Sequence, residues 1–293
     1  MEWQTLGNTP FLPPLYWRAA LKRKITGSTL PEQGLRCRVS VNPKDVAAYR
    51  KVCGFADSPI LPATYPHVLA FGLQMQLLTA KAFPFPLLGL IHLSNCIRIH
   101  RPLGGVNELF ISVHAQNLQP HAKGATFEVV TTVEDSLGVL WEAESRMLCR
   151  GVKLEGEAAD DTQPTPVHIS EPTRWKAPSD IGRRYARVSG DYNPIHLSAP
   201  TAKLFGFPQA IAHGLWNKAR TLAALGEHLP AANVEIEVVF KKPVRLPSEV
   251  TLHSSTAGSS GELLLKGAGD IEHMVGKWRP IAEQNLLNCI YTP

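Results

Sequence analysis

The sequence predicts an α+β protein made of two like halves in tandem, each a curved antiparallel sheet wrapped around one central helix. Three observations carry this: an internal repeat, strand patterns of period two, and one apolar helix-like stretch in each half. Self-similarity constrains architecture before any local motif does. Asn42-Pro43-Lys44-Asp45-Val46 leads through Tyr49 and Val52-Cys53-Gly54 to the apolar stretch 68–80. Ala177-Pro178-Ser179-Asp180-Ile181 leads through Tyr185 and Val188-Ser189-Gly190 to another at 215–225. Each half then places a strand ahead of a basic residue and a proline, 90–99 before His100-Arg101-Pro102 and 234–240 before Lys241-Lys242-Pro243. Pro43 thus corresponds to Pro178 and Pro102 to Pro243, and the interval between the paired prolines is slightly longer in the second half, where it holds the motif described below.

Alternation supports the strands. Val234, Ile236, Val238 and Phe240 fall on one face, and Glu235 and Glu237 on the other, the signature of a half-buried strand. Residues 127–133 and 139–144 flank the turn Asp135-Ser136-Leu137-Gly138 and predict a long hairpin. Its counterpart is 250–253 and 263–265 around Gly258-Ser259-Ser260-Gly261. A helix apolar on most sides must be covered all round, and a curved antiparallel sheet does so economically. The expectation is therefore a tandem (double) hot-dog: a first half at 1–154, an acidic Pro/Thr-containing linker at 155–168, and a second half at 169–293. The halves should pack as a pseudo-dimer, with further dimerisation left open.

Composition excludes several classes. With 44% hydrophobic and 19% charged residues in 293, the chain can bury a core and is not a disordered segment. The longest apolar stretch, 83–93, is interrupted by Pro84, Pro86 and His92, short of a membrane span. Met1-Glu2-Trp3 opens on no basic and apolar leader, so a cytoplasmic protein is expected. Five scattered cysteines without a Cys-x-x-Cys pair read as reduced and structural. The +5 charge is dispersed, which argues against nucleic acid as a partner. His67, His92, His100, His114 and His121 show no ligand spacing, so neither a metal nor a cofactor is expected. Residues 15–24 read as a short amphipathic helix packed on the body.

The chemistry concentrates in Ser189-Gly190-Asp191-Tyr192-Asn193-Pro194-Ile195-His196. Gly190 permits a tight bend, Pro194 fixes its own φ, and the loop folds back so that a carboxylate and an imidazole converge. Asn193 can hold such a loop through its side chain, with Ser189 supporting it. Downstream, His213-Gly214 opens the second apolar helix. A glycine there exposes free N–H groups at the positive end of the helix dipole, an oxyanion hole in prospect. Adding water across a conjugated thioester needs a proton acceptor, a proton donor and such a hole. Asp191, His196 and the Gly214 amide match these needs.

Taken with Phe205-Gly206-Phe207, Ile211-Ala212-His213-Gly214 and Phe240-Lys241-Lys242-Pro243-Val244, the motif resembles the MaoC-like family of (R)-specific enoyl-CoA hydratases and 3-hydroxyacyl dehydratases, densely over 175–250. The resemblance implies a hot-dog fold, catalysis by Asp191 and His196, the Gly214 amide on the thioester carbonyl, and an acyl-CoA or acyl-ACP thioester as substrate. It also implies a degenerate first half. There Gly54-Phe55-Ala56-Asp57-Ser58-Pro59 lacks the Asp-x-Asn-Pro-x-His pattern, and Leu61–His67 stands where the second half has Ile211-Ala212-His213-Gly214.

Plainer readings stand beside these. A Gly-Asp-x-Asn-Pro string alone is most often a surface turn. His213 reads as a support for the loop. Lys241, Lys242 and Arg245 suit CoA phosphates or a solvated basic edge, and Trp216 a pocket wall or the core. Two other functions fit the same fold: an acyl-CoA thioesterase, and a non-catalytic subunit that binds acyl carriers. The His196 paired with Asp191 favours the hydratase over both.

Overall fold

The computed structural model describes residues 1–158 and 172–282. Most of the linker expected at 155–168, together with Cys289, lies outside the described residues. In chain order the elements are β1 (Glu2–Leu6), α1 (Leu12–Leu21), β2 (Gln33–Ser40), α2 (Pro43–Cys53), α3 (Tyr65–Thr79), β3 (Ile91–Ile99), β4 (Glu108–His121), β5 (Gly124–Asp135) and β6 (Gly138–Arg150). They continue as β7 (Thr173–Ala177), α4 (Ile181–Ser189), α5 (Ala199–Lys203), α6 (Gly214–Leu225), β8 (Val234–Phe240), β9 (Ser248–Ser254), β10 (Gly261–Lys266) and β11 (Glu272–Pro280).

The strands form one sheet in the order β1-β2-β4-β5-β6-β3-β8-β11-β10-β9-β7. Read outward from the β3–β8 seam, each half repeats one order, β3-β6-β5-β4-β2 against β8-β11-β10-β9-β7. The seam is antiparallel, and Cys96 pairs with Glu237 across it. The same sequence offset relates Pro102 to Pro243, so equivalent positions meet at the seam as in a two-fold interface. Only β1, parallel to β2, and α1 have no counterpart among the described residues of the second half.

The two central helices solve burial differently. α3 buries Leu73, Met75, Leu77 and Leu78, with the uncharged Gln74 and Thr79 as its buried polar side chains. α6 buries Trp216, Ala219 and Leu222 but also Asn217, Lys218 and Thr221. The 215–225 stretch is thus less apolar inside the fold than its pattern suggests. Lys218 is 0% exposed and donates to the carbonyl and Oδ1 of Asn95 and to the Ile236 carbonyl, at 2.7–3.1 Å. The ammonium directs all three donors at the seam strands, which offsets the cost of burying it.

The extra length of the second half is redistributed. Leu61 N–H bonds the Leu103 carbonyl, and Ala212 N–H bonds the Val244 carbonyl in the same way. The chain runs from the helix-ending Gly54 to the Leu61 anchor in the first half, but from Gly190 to Ala212 in the second, so the motif loop is by far the longer of the two. The net excess stays small because the stretch from Ala212 to Val244 is shorter than its counterpart from Leu61 to Leu103. No helix among the described residues is long and apolar enough to cross a membrane.

Candidate active site

The motif loop leaves α4 through Gly190, which caps the helix in the left-handed region at φ 78°. Its amide bonds the Ala186 carbonyl at 2.9 Å. Glycine suits this position because other residues are strained at positive φ. Ser189 is buried, donates its hydroxyl to the Tyr185 carbonyl at 2.8 Å and accepts the Asp191 N–H at 3.2 Å. Asp191 Oδ1 accepts the Asn193 N–H at 3.1 Å, and Asn193 Oδ1 takes the Ile195 N–H at 3.4 Å. These two Asx contacts roll the chain into the 3-10 turn Pro194–His196.

His196 is buried, and its Nδ1 lies 2.8 Å from the Ile211 carbonyl. A carbonyl can only accept, so Nδ1 carries the proton and Nε2 keeps a lone pair. Burial, reinforced by His213, pushes the imidazole down to about 3, so it rests neutral. The Asp191 carboxyl stays 32% exposed; desolvation raises it from the ordinary carboxylate value, against the lowering influence of His196 and the Asn193 N–H. His213 donates from Nε2 to the Asp191 carbonyl at 2.9 Å and stacks on His196 with centroids 3.7 Å apart and planes at 27°. It positions both the loop and the ring, and burial holds it down to about 4.

His213 is also the N-cap of α6, yet its side chain makes no capping bond. The first intrahelical bond to close on it is Asn217 N–H to the His213 carbonyl. The N–H groups at the start of the helix, Gly214 included, are the ones a helix leaves without intrahelical acceptors. A Cβ on Gly214 would sit 3.1–3.2 Å from the Phe240 ring. Phe240 is thus a wall of the site that its place in a strand pattern did not announce. Asp191, His196 and His213 offer ligand atoms within 4.8 Å of one another. A cation must lie in the plane of each imidazole it binds, at about 2.0–2.1 Å, and two stacked rings do not present converging planes.

Other residues singled out from the sequence fall further from the centre. Trp216 is 2% exposed and donates its indole N–H to the Val52 carbonyl at 3.2 Å, so it stitches α6 to the first half instead of offering a surface to CoA. Lys241, Lys242 and Arg245 are exposed, and none is in an ion pair among the described residues. Arg245 bridges to Ile211, the residue whose carbonyl holds His196. Gly182 was not anticipated at all. A Cβ there would come 1.9 Å from the His196 carbonyl oxygen, so only glycine lets α4 approach the turn this closely.

A helix wrapped by a curved antiparallel sheet, twice in one chain, defines a double hot-dog protein with one elaborated loop. Comparison with known proteins places it further. The family described as MaoC like domain matches residues 155–266. The chain is 37% identical over 232 residues to "3-hydroxyacyl-thioester dehydratase X" of Mycobacterium tuberculosis, covering 77% of this chain and 81% of that protein. The crystal structure of HtdX from M. tuberculosis superposes with a TM-score of 0.73 at 32% identity, over 85% of this chain and 100% of that one. A further M. tuberculosis structure, described as having a double hotdog fold, shares the fold at TM-score 0.51 and 13% identity, over 89% and 96% of the two chains. The chain belongs to the MaoC-like dehydratase family.

Proposed function

We propose that the protein interconverts trans-2-enoyl and (R)-3-hydroxyacyl thioesters, carried on CoA or an acyl carrier protein. The observation that carries this reading is the fixed tautomer of His196. With Nδ1–H tied to the Ile211 carbonyl, Nε2 keeps its lone pair, on a ring that stacks against the N-cap of α6 and has a nitrogen within 4.8 Å of an Asp191 carboxylate oxygen. In the hydration direction a water donates one hydrogen to Asp191 and one to His196 Nε2. The imidazole takes the proton as the hydroxyl bonds to C3, and electron density passes through C2 to the thioester oxygen at the Gly214 N–H. The imidazolium, stabilised by the Asp191 carboxylate, then returns the proton to C2. One water is consumed, and both residues end in their starting states. Dehydration runs the same steps in reverse. Lys241, Lys242 and Arg245 are exposed cations suited to carrier phosphates.

The test is loss of conjugated-thioester absorbance when the protein is mixed with crotonyl-CoA and longer enoyl-CoAs. Asp191→Asn and His196→Gln should each lower kcat by about 10²–10⁴. Full activity in either variant, or no absorbance loss at any chain length, overturns the reading. Release of free thiol would point to a thioesterase instead.

A further inference from the structure

We propose that Tyr16 is a positioning residue for the motif loop, so that the N-terminal helix of the first half sets the geometry of the site in the second. The inference rests on the proposed function for its activity readout, but not for its structural one. Tyr16 lies on α1, an element with no counterpart among the described residues of the other half. Its phenol donates to the Gly190 carbonyl and accepts the Tyr192 N–H at 2.7 Å. One hydroxyl from a distant part of the sequence therefore holds the peptide groups on both sides of Asp191. The Tyr192 N–H also leans on the Gly190 carbonyl at 3.2 Å, so the phenol closes a bend the loop makes only weakly alone.

The surroundings fix the phenol in turn. Its ring meets Tyr192 edge-on with centroids 6.3 Å apart. Leu12, one turn earlier, packs where a Cβ on Gly190 would come 2.7 Å from its Cδ1. Leu15 and Ala19 bury the inner face of α1, and Lys22 donates to the Ala80 carbonyl at 3.0 Å and to the Phe83 carbonyl. Burial and the nearby Asp191 raise the phenol above its ordinary value, so it stays a donor. The peptide group between Asp191 and Tyr192 is held at both ends by side chains from elsewhere, its N–H by Tyr16 and its carbonyl by His213. The carboxylate, whose placement decides how water meets His196, is thereby fixed from its backbone.

The test compares Tyr16→Phe with Trp17→Ala, which alters the solvent-facing side of the same helix. Turnover of a soluble enoyl thioester and amide hydrogen exchange of the 189–197 segment are measured in the full chain. In Tyr16→Phe, kcat should fall about tenfold with KM nearly unchanged, and exchange at Tyr192 should quicken while α4 and α6 keep wild-type protection. Trp17→Ala should match wild type in both. Wild-type kcat and exchange in Tyr16→Phe overturn the proposal, as does equal acceleration across α4, α6 and the loop. Should Tyr16→Phe fail to fold, the wild-type protein decides: protection of the Tyr192 amide supports the clamp, and exchange at the rate of a free chain overturns it. If wild type shows no hydration of any enoyl thioester, the proposed function fails, while the exchange result still judges the clamp.

Discussion

The segments that follow α2 and α4 begin as copies and end as opposites. Both helices stop at a left-handed glycine, Gly54 at φ 79° and Gly190 at φ 78°, and their tyrosines, Tyr49 and Tyr185, meet with rings 6.1 Å apart. Counted back from those glycines, Val46 and Arg50 of α2 stand where α4 has Gly182 and Ala186. In the first half the Arg50 guanidinium is buried and donates to the carbonyls of Ala56, Ser58 and Ile60, pinning a short loop. In the second, the two small residues leave the flank of the helix open, and the turn bearing His196 lies directly against Gly182. One face of one helix, filled by an arginine or emptied to glycine and alanine, separates a loop that is stitched shut from one that can hold a carboxylate and an imidazole.

Giving the second half the residue of the first should break that difference most severely. Gly182→Val would drive a Cβ into the His196 carbonyl, a backbone atom that cannot swing aside. We expect loss of about 3 kcal/mol of stability, together with a fall in kcat of about 100-fold or more as the imidazole is displaced. Gly182→Ala should lie between wild type and the valine variant, closer to the latter, since the Cβ is the atom that clashes. Thermal melts and enoyl-thioester turnover on the same preparations check both, and wild-type turnover in Gly182→Val would refute the role assigned to close packing.

The reverse experiment sharpens the comparison with a smaller effect. Arg50→Ala removes the donors that three loop carbonyls share and should cost about 2 kcal/mol, read as a lower denaturation midpoint. Because that loop carries none of the Asp191/His196 chemistry, kcat at temperatures where the variant is folded should remain within about twofold of wild type. A large drop in kcat without unfolding would mean that the first half takes a direct part in the reaction.

What the sequence made legible is what local chemistry enforces. Gly190, Asn193 and Pro194 announce a folded-back loop because glycine tolerates the left-handed bend, asparagine bonds its own neighbours and proline restricts its own φ, and His213-Gly214 marks a helix start by the same kind of rule. The repeat was legible because both halves retain the same end-of-helix glycine and the same strand-proline junction. Tyr16, Gly182 and Phe240 were not, because their roles exist only across the tertiary fold: a hydroxyl reaching a distant peptide, an absent Cβ, a ring laid against a glycine. Gly182 in particular reads in isolation as a residue that merely weakens a helix. The small net excess of the second half concealed a long insertion and a shortening that partly cancels it, since only paired anchors such as Leu61/Leu103 and Ala212/Val244 locate such changes.

The mildest test concerns what the two halves share. Each holds imidazoles neutral mainly by desolvation, half-buried in the first half, with His67 down to about 4 and His92 to about 3, and buried in the second, with His196 to about 3 and His213 to about 4. In the unfolded chain these groups titrate near their ordinary value of about 6.5, so the unfolded state binds more protons than the folded one from about pH 6.5 down to about 3. Stability is therefore full above pH 6.5 and declines as the pH falls through this window. Tm should drop by several degrees from pH 7 to pH 5. His213→Gln, which keeps a polar side chain at the position, should flatten the slope by one histidine's share; His67→Gln in the first half should flatten it to a similar degree. If the slope is unchanged in both variants, the acid sensitivity lies in other groups. If only His213→Gln changes it, the polar interior of the first half is wetter than its counterpart around the motif loop.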